Sequence, residues 1–162
     1  MSIQKTLEFI LPVFQNLHIP FQITGGLAAH IYGSNRPIND IDIDIPEDRM
    51  QEITPYFEKY IIFGPGRYRD DKWDLQLITL DYDGQEVDLG GAFQTKIFDD
   101  QNKLWINCPI NFAATEFKSF LGMNLPLINP HELIAYKKLL TGDHQKEDIM
   151  AITKYIKNHE ST

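Results

Sequence analysis

Apolar residues recur at helical spacing near the start of the chain. Ile3, Leu7, Ile10, Leu11 and Phe14 fall on one side of a 3.6-residue repeat, which predicts a helix over 3–17 with one buried face. Pro12 is placed to bend that helix. The run His18–Thr24 is apolar and partly β-branched, and predicts a short strand ending at Gly25-Gly26. A short helix over 27–32 follows, closed by Gly33, and then a loop over 34–39. Over 40–45 the period changes to two. Asp40, Asp42 and Asp44 alternate with Ile41, Ile43 and Ile45, so a strand there lines three carboxylates along one face and three isoleucines along the other.

Pro46-Glu47-Asp48 opens a helix that Met50, Ile53, Phe57 and Tyr60 carry to about Lys59. A strand over 61–63 is followed by a polar loop over 64–72 that holds Arg67, Arg69 and Lys72. Alternation returns over 74–81, Asp83-Gly84 marks a hairpin, and the return strand over 85–89 sets Asp88 between Val87 and Leu89. Residues 90–93 read as a loop and residues 96–98 and 103–106 as a second hairpin. The stretch 109–127 has little period beyond a short strand near 117–120. A helix starts at Asn129-Pro130 and runs to Leu140, Thr141-Gly142-Asp143 breaks it, and a last helix over 145–158 buries Ile149, Ile152, Ile156 and Met150. The class predicted is α/β or α+β: a small mixed sheet carrying the acids, flanked by helices, with a C-terminal helical pair. One domain over 1–162 is expected, with a core over 1–128 and the terminal helices over 129–162.

The composition narrows the partners. A formal net charge of -8 argues against a long nucleic acid or an anionic membrane surface, both of which require a basic face. Cys108 is the one cysteine, so no internal disulfide is possible and a reducing, cytoplasmic location is expected. The N-terminal stretch carries Glu8 and reads as an amphipathic helix rather than a signal peptide, and no apolar run spans a bilayer.

Three carboxylates in one row repel each other and call for a cation. Acids two apart on one strand, joined by Asp88 from another strand, suit Mg²⁺, which takes oxygen ligands and completes its shell with water and phosphate oxygens. Two such ions about 3.5–4 Å apart activate an attacking hydroxyl and stabilise a leaving pyrophosphate. Gly25 and Gly26 let backbone approach a phosphate, beside the free N–H groups of the next helix. The run from Asp40 to Asp44 allows two ligand registers, Asp40 with Asp42 or Asp42 with Asp44, and Asp42 belongs to both.

In this order, Gly25-Gly26, Asp40-Ile41-Asp42 and Asp88 resemble the pattern of the nucleotidyltransferase superfamily of the polymerase-beta type. The likeness is closest to its small branch, which includes lincosamide and aminoglycoside nucleotidyltransferases and nucleotidyltransferase members of toxin–antitoxin pairs. Arg36 stands four residues before Asp40, as is frequent in that branch. Pro130-His131-Glu132-Leu133 with Lys137, and Lys146-Glu147-Asp148-Ile149, resemble its C-terminal motifs. The resemblance implies Asp40, Asp42 and Asp88 as catalytic metal ligands for two Mg²⁺ ions. It implies Gly25, Gly26, Arg36 and Lys137 as contacts to a nucleoside triphosphate, with a hydroxyl acceptor as second substrate. Counting from Arg36 to Pro46 favours Asp40 and Asp42 over Asp44. Asp70, Asp71, Asp74 and Glu86 are candidates for the base that deprotonates the acceptor. A regulatory protein that binds a partner, as in toxin–antitoxin pairs, and a nucleotide-binding pseudoenzyme are the alternatives.

Overall fold

The computed structural model describes residues 2–160. Helix α1 (Ile3–Asn16) begins at Ser2, whose hydroxyl accepts from the Lys5 N–H at 3.1 Å, and buries Leu7, Ile10, Leu11 and Phe14. Strand β1 (Gln22–Thr24) runs straight into α2 (Gly25–Ile31), so the two glycines form the helix's opening turn. Strand β2 (Ile41–Ile45) alternates buried and half-buried positions, and α3 (Met50–Phe57) follows after a single 3₁₀ turn. Strands β3 (Ile61–Arg69), β4 (Trp73–Tyr82) and β5 (Gln85–Gly91) form a meander. Hairpins β6 (Lys96–Asp99) with β7 (Leu104–Asn107), and β8 (Glu116–Phe120) with β9 (Met123–Leu127), come next. Helices α4 (Pro130–Lys137) and α5 (Asp143–Glu160) complete the fold.

The strands make one mixed sheet in the order β7-β6-β4-β5-β2-β1-β9-β8, with β3 added to β4. Strand β2 is parallel to β5 and antiparallel to β1, which in turn is parallel to β9. Ile41, Ile43 and Ile45 join Val87, Leu89, Phe14 and Phe57 in one continuous core. Each fully buried isoleucine contributes about 2 kcal/mol, and a one-residue slip of β2 would expose all three and bury the acids. The apolar packing therefore fixes the register of the acidic face. Asp42, Asp44 and Asp88 project from the opposite side of the same strands.

Three expectations fail. The polar stretch 64–72 is not a loop: through Arg69 it belongs to β3, paired along β4. As an edge strand exposed on both faces it has no apolar alternation to betray it. In the weakly patterned stretch, β9 was not anticipated. It forms a hairpin with β8 across Leu121 and Gly122, at φ 51° and 76°, and its Leu125 and Leu127 are fully buried. In α5 the inward positions are Asp148 and Ile152, while Met150 is 73% exposed and Ile149 and Ile156 are half-buried. A buried aspartate with cationic partners sets the rotation of that helix.

Candidate active site

Asp42 and Asp88 stand directly opposite each other in the parallel pairing of β2 and β5. Asp40 precedes β2 by one residue, and Glu86 shares the face of Asp88 because it lies two residues before it. Carboxylate oxygens of Asp40, Glu86 and Asp88 lie within 4.8 Å of one another. Thr79, paired with Asp88 across β4 and β5, donates its hydroxyl to the Asp88 carboxylate at 2.7 Å. Asp44, at the far end of the row, accepts from Gln22 Nε2 at 3.0 Å.

Gly25 governs how closely the row meets α2. Its φ is +64°, and a Cβ there would lie 2.2 Å from Asp42 Oδ2, so any side chain would push the carboxylate away. The Gly25 N–H donates to the Tyr136 hydroxyl at 2.9 Å, which ties α4 onto the turn.

Among the described residues no Lys or Arg forms an ion pair with Asp40, Asp42, Asp44, Glu86 or Asp88. Burial, then repulsion from Asp88, Asp40 and Asp44, pushes the Asp42 carboxyl up to about 8. Burial, with Glu132 and Glu47 adding to it against the Gln22 hydrogen bond, pushes Asp44 up to about 7. Asp88 and Glu86 are raised as well, chiefly by burial. Oxygen donors at this density, short of positive charge, form a donor set that suits a hard divalent cation.

That arrangement predicts a pH effect with a definite sign. A carboxyl whose value is raised by folding favours the folded state when protonated, and that stability is lost as pH rises from about 4 through about 8. The metal-free protein is therefore expected to melt at lower temperature near pH 8 than near pH 6. A divalent cation should raise the melting temperature more at the higher pH, where it displaces fewer protons. Melts with and without Mg²⁺ at both pH values check this; equal Mg²⁺ effects would contradict it.

Two cavities meet at the row. The larger, about 510 Å³, is bordered by Asp44, Tyr68, Asp88 and Cys108 among others. The smaller, about 260 Å³, is bordered by Gly25, Gly26, Arg36 and Lys137. Asp40, Asp42, Trp73 and Tyr136 line both. Each of the seven residues expected for the site borders one or both of these cavities. Neither Arg36 nor Lys137 is free: both pair with Asp148, at 2.6 and 3.0 Å. Arg67 pairs with Asp74 at 2.6 Å, and Arg69 lies over the Trp105 ring. Asp70 accepts from the Tyr68 hydroxyl and from the Lys72 and Trp73 N–H groups. Of the four acids considered as a base, Glu86 alone sits in the carboxylate cluster. Its place there is legible in the Glu86-Val87-Asp88 alternation, which repeats that of Asp40-Ile41-Asp42. Sequence reasoning missed Asp148 as a partner of both cations and Tyr136 as a partner of the glycine turn.

No family model and no curated relative matches the sequence. Solved structures match its fold. A Thermotoga maritima protein provisionally assigned as a nucleotidyltransferase superposes with a TM-score of 0.65 at 21% identity, over 98% of this chain and 97% of its own. A lincosamide antibiotic adenylyltransferase with lincomycin bound gives 0.63 at 13% identity, over 95% and 98%. ANT(2")-Ia in complex with adenylyl-2"-tobramycin gives 0.64 at 15% identity, over 98% and 92%. The chain therefore has the fold of the nucleotidyltransferases, the superfamily its motifs resemble.

Proposed function

We propose that this protein is a Mg²⁺-dependent nucleotidyltransferase that moves a nucleoside monophosphate from a nucleoside triphosphate to a hydroxyl of a small acceptor. The observation that carries the reading is the cluster of Asp40, Glu86 and Asp88, with Asp42 opposite Asp88 and none of the four in an ion pair among the described residues, where two cavities share their lining beside a glycine turn. Its place in a fold shared with adenylyltransferases supports it.

Asp40, Asp42 and Asp88 would hold the Mg²⁺ ions, which when bound neutralise phosphate charge and make the α-phosphorus more electrophilic. Asp40 and Asp42 border both cavities, whereas Asp44 borders the larger one alone and is engaged by Gln22, which supports the first register. The triphosphate lies in the smaller cavity. Gly26 leaves the backbone open to its oxygens there, and Arg36 and Lys137 contribute positive charge. The acceptor occupies the larger cavity, whose volume suits a drug-sized molecule. Its hydroxyl meets the α-phosphorus beside Asp88, and Glu86 takes the hydroxyl proton on a carboxylate oxygen. The new bond joins acceptor oxygen to α-phosphorus, and the bond to the β-phosphate oxygen breaks to release pyrophosphate. Thr79 keeps the Asp88 carboxylate oriented throughout.

No helix among the described residues is long and apolar enough to cross a membrane. The acidic balance favours a small acceptor over a long nucleic acid.

The test is incubation with each labelled nucleoside triphosphate, Mg²⁺ and a panel of hydroxylated small molecules. Labelled acceptor and pyrophosphate should form in equal amounts and need both Mg²⁺ and acceptor. Transfer that persists without any divalent cation contradicts the reading.

A further inference from the structure

Asp148 lies on α5, fully buried and apart from the acidic row. Its Oδ1 accepts from Ser34 Oγ at 2.6 Å and from Arg36 Nε at 2.8 Å. Its Oδ2 accepts from Arg36 Nη2 at 2.6 Å and stands 3.0 Å from Lys137 Nζ. Lys137 donates in addition to Gln145 Oε1 at 3.1 Å. One carboxylate is thus shared by two cations, and these supports hold its value down to about 2, despite burial.

Among the paired groups two cations meet one carboxylate, while Glu147 and Asp42 act on Arg36 and Lys137 without forming ion pairs with them. A tie meant only to fasten α5 would need one cation, and a second buried beside it is costly unless an anion completes the set. Both cations border the smaller cavity, which Asp40 and Asp42 line as well. Arg36 Nη2 would lie 3.7 Å from a Cβ at Gly26, so the guanidinium stands beside the residue whose backbone is bare. Because Asp148 takes Nε and one Nη2 hydrogen, the guanidinium plane is fixed and the Nη1 hydrogens stay available to a ligand.

We infer that Asp148 is a positioning residue for the triphosphate: it holds Arg36 and Lys137 in one geometry, so that phosphate affinity depends on the docking of α5. This rests on the nucleotidyl-transfer reading above. Helix α5 is otherwise seated by the fully buried Ile152 and by Tyr155, which packs at 4.7 Å on Tyr32. Asp148 and, through Lys137, Gln145 are its polar links to the cavity wall.

Two variants separate positioning from charge. Asp148→Glu keeps the charge and moves the carboxylate, and Ser34→Ala removes one hydrogen bond to it while leaving every charge in place. Folding is confirmed by circular dichroism, and assays are run well below each melting temperature. The readouts are Kd for Mg²⁺ with inorganic tripolyphosphate, and KM for the nucleoside triphosphate against kcat. The wild type should bind tripolyphosphate. Asp148→Glu should weaken it by about tenfold or more and raise KM in parallel, with kcat within about threefold. Ser34→Ala should weaken it by about two- to fivefold. A lower melting temperature with unchanged Kd in both folded variants, or a fall in kcat at unchanged KM, overturns the inference and leaves nucleotide transfer standing. Should Asp148→Glu not fold, Ser34→Ala decides by the same criteria. A wild type that fails to bind tripolyphosphate overturns the nucleotidyl-transfer reading itself.

Discussion

Asp42→Asn is expected to abolish the proposed nucleotide transfer, by at least about 10³-fold, and at the same time to make the metal-free protein more stable. Both effects follow from one geometry. Asp42 faces Asp88 across the parallel pair and sits against Gly25, where no side chain intervenes. An amide there is nearly isosteric but contributes no negative charge to bind a divalent cation. In the metal-free protein the same charge is a liability, since burial and three neighbouring acids push its carboxyl up to about 8. Removing it relieves repulsion by on the order of 1–3 kcal/mol near pH 8, which raises Tm by several degrees in a chain of this size. Near pH 4 the wild-type carboxyl is protonated and the gain disappears. Activity assays and melts at the two pH values check both halves. A variant that loses activity and stability together would mean that Asp42 is a structural acid.

Asp148→Ala is expected to cost about 3–5 kcal/mol of folding stability, because it leaves Arg36 and Lys137 facing each other without their shared anion. The pH dependence has the opposite sign from that of Asp42. Ser34, Arg36 and Lys137 hold the Asp148 carboxyl down to about 2, below its ordinary value. The resulting stability, about 2 kcal/mol, is present above about pH 4 and is lost as pH falls through about 2. Denaturant unfolding of wild type and variant near pH 7 should show the full difference, and the gap should narrow toward about pH 2. A difference below about 1 kcal/mol at neutral pH would show that the cluster is solvated and of little consequence.

The acidic face was legible because two periods coincide on β2: the isoleucines bury in the core, and the aspartates have nowhere to point but the other side. Val87-Asp88-Leu89 carried the same information for β5, and Glu86 with it. Of strand β3 only 61–63 was legible, since the rest is an edge strand exposed on both faces and polar for the same reason a loop is. The rotation of α5 was hidden as well. Hydrophobic period favoured Met150, but Asp148 turned inward because its partners, Arg36 and Lys137, come from segments more than a hundred residues and about ten residues away in sequence. The likeness of Lys146-Glu147-Asp148-Ile149 to a family motif marked the place without showing the contact. Tyr136 on the Gly25 N–H is a contact of the same long-range kind.

On the function proposed, Asp40, Asp42 and Asp88 bind a nucleoside triphosphate through a divalent cation. Calorimetric titration of the protein with a non-transferable triphosphate analogue, with Mg²⁺ and then with all divalent cations chelated, tests it directly. Saturable binding is predicted with Mg²⁺, and its loss on chelation and again in Asp42→Asn. Equal affinity with and without the cation, or in the variant, would contradict the account.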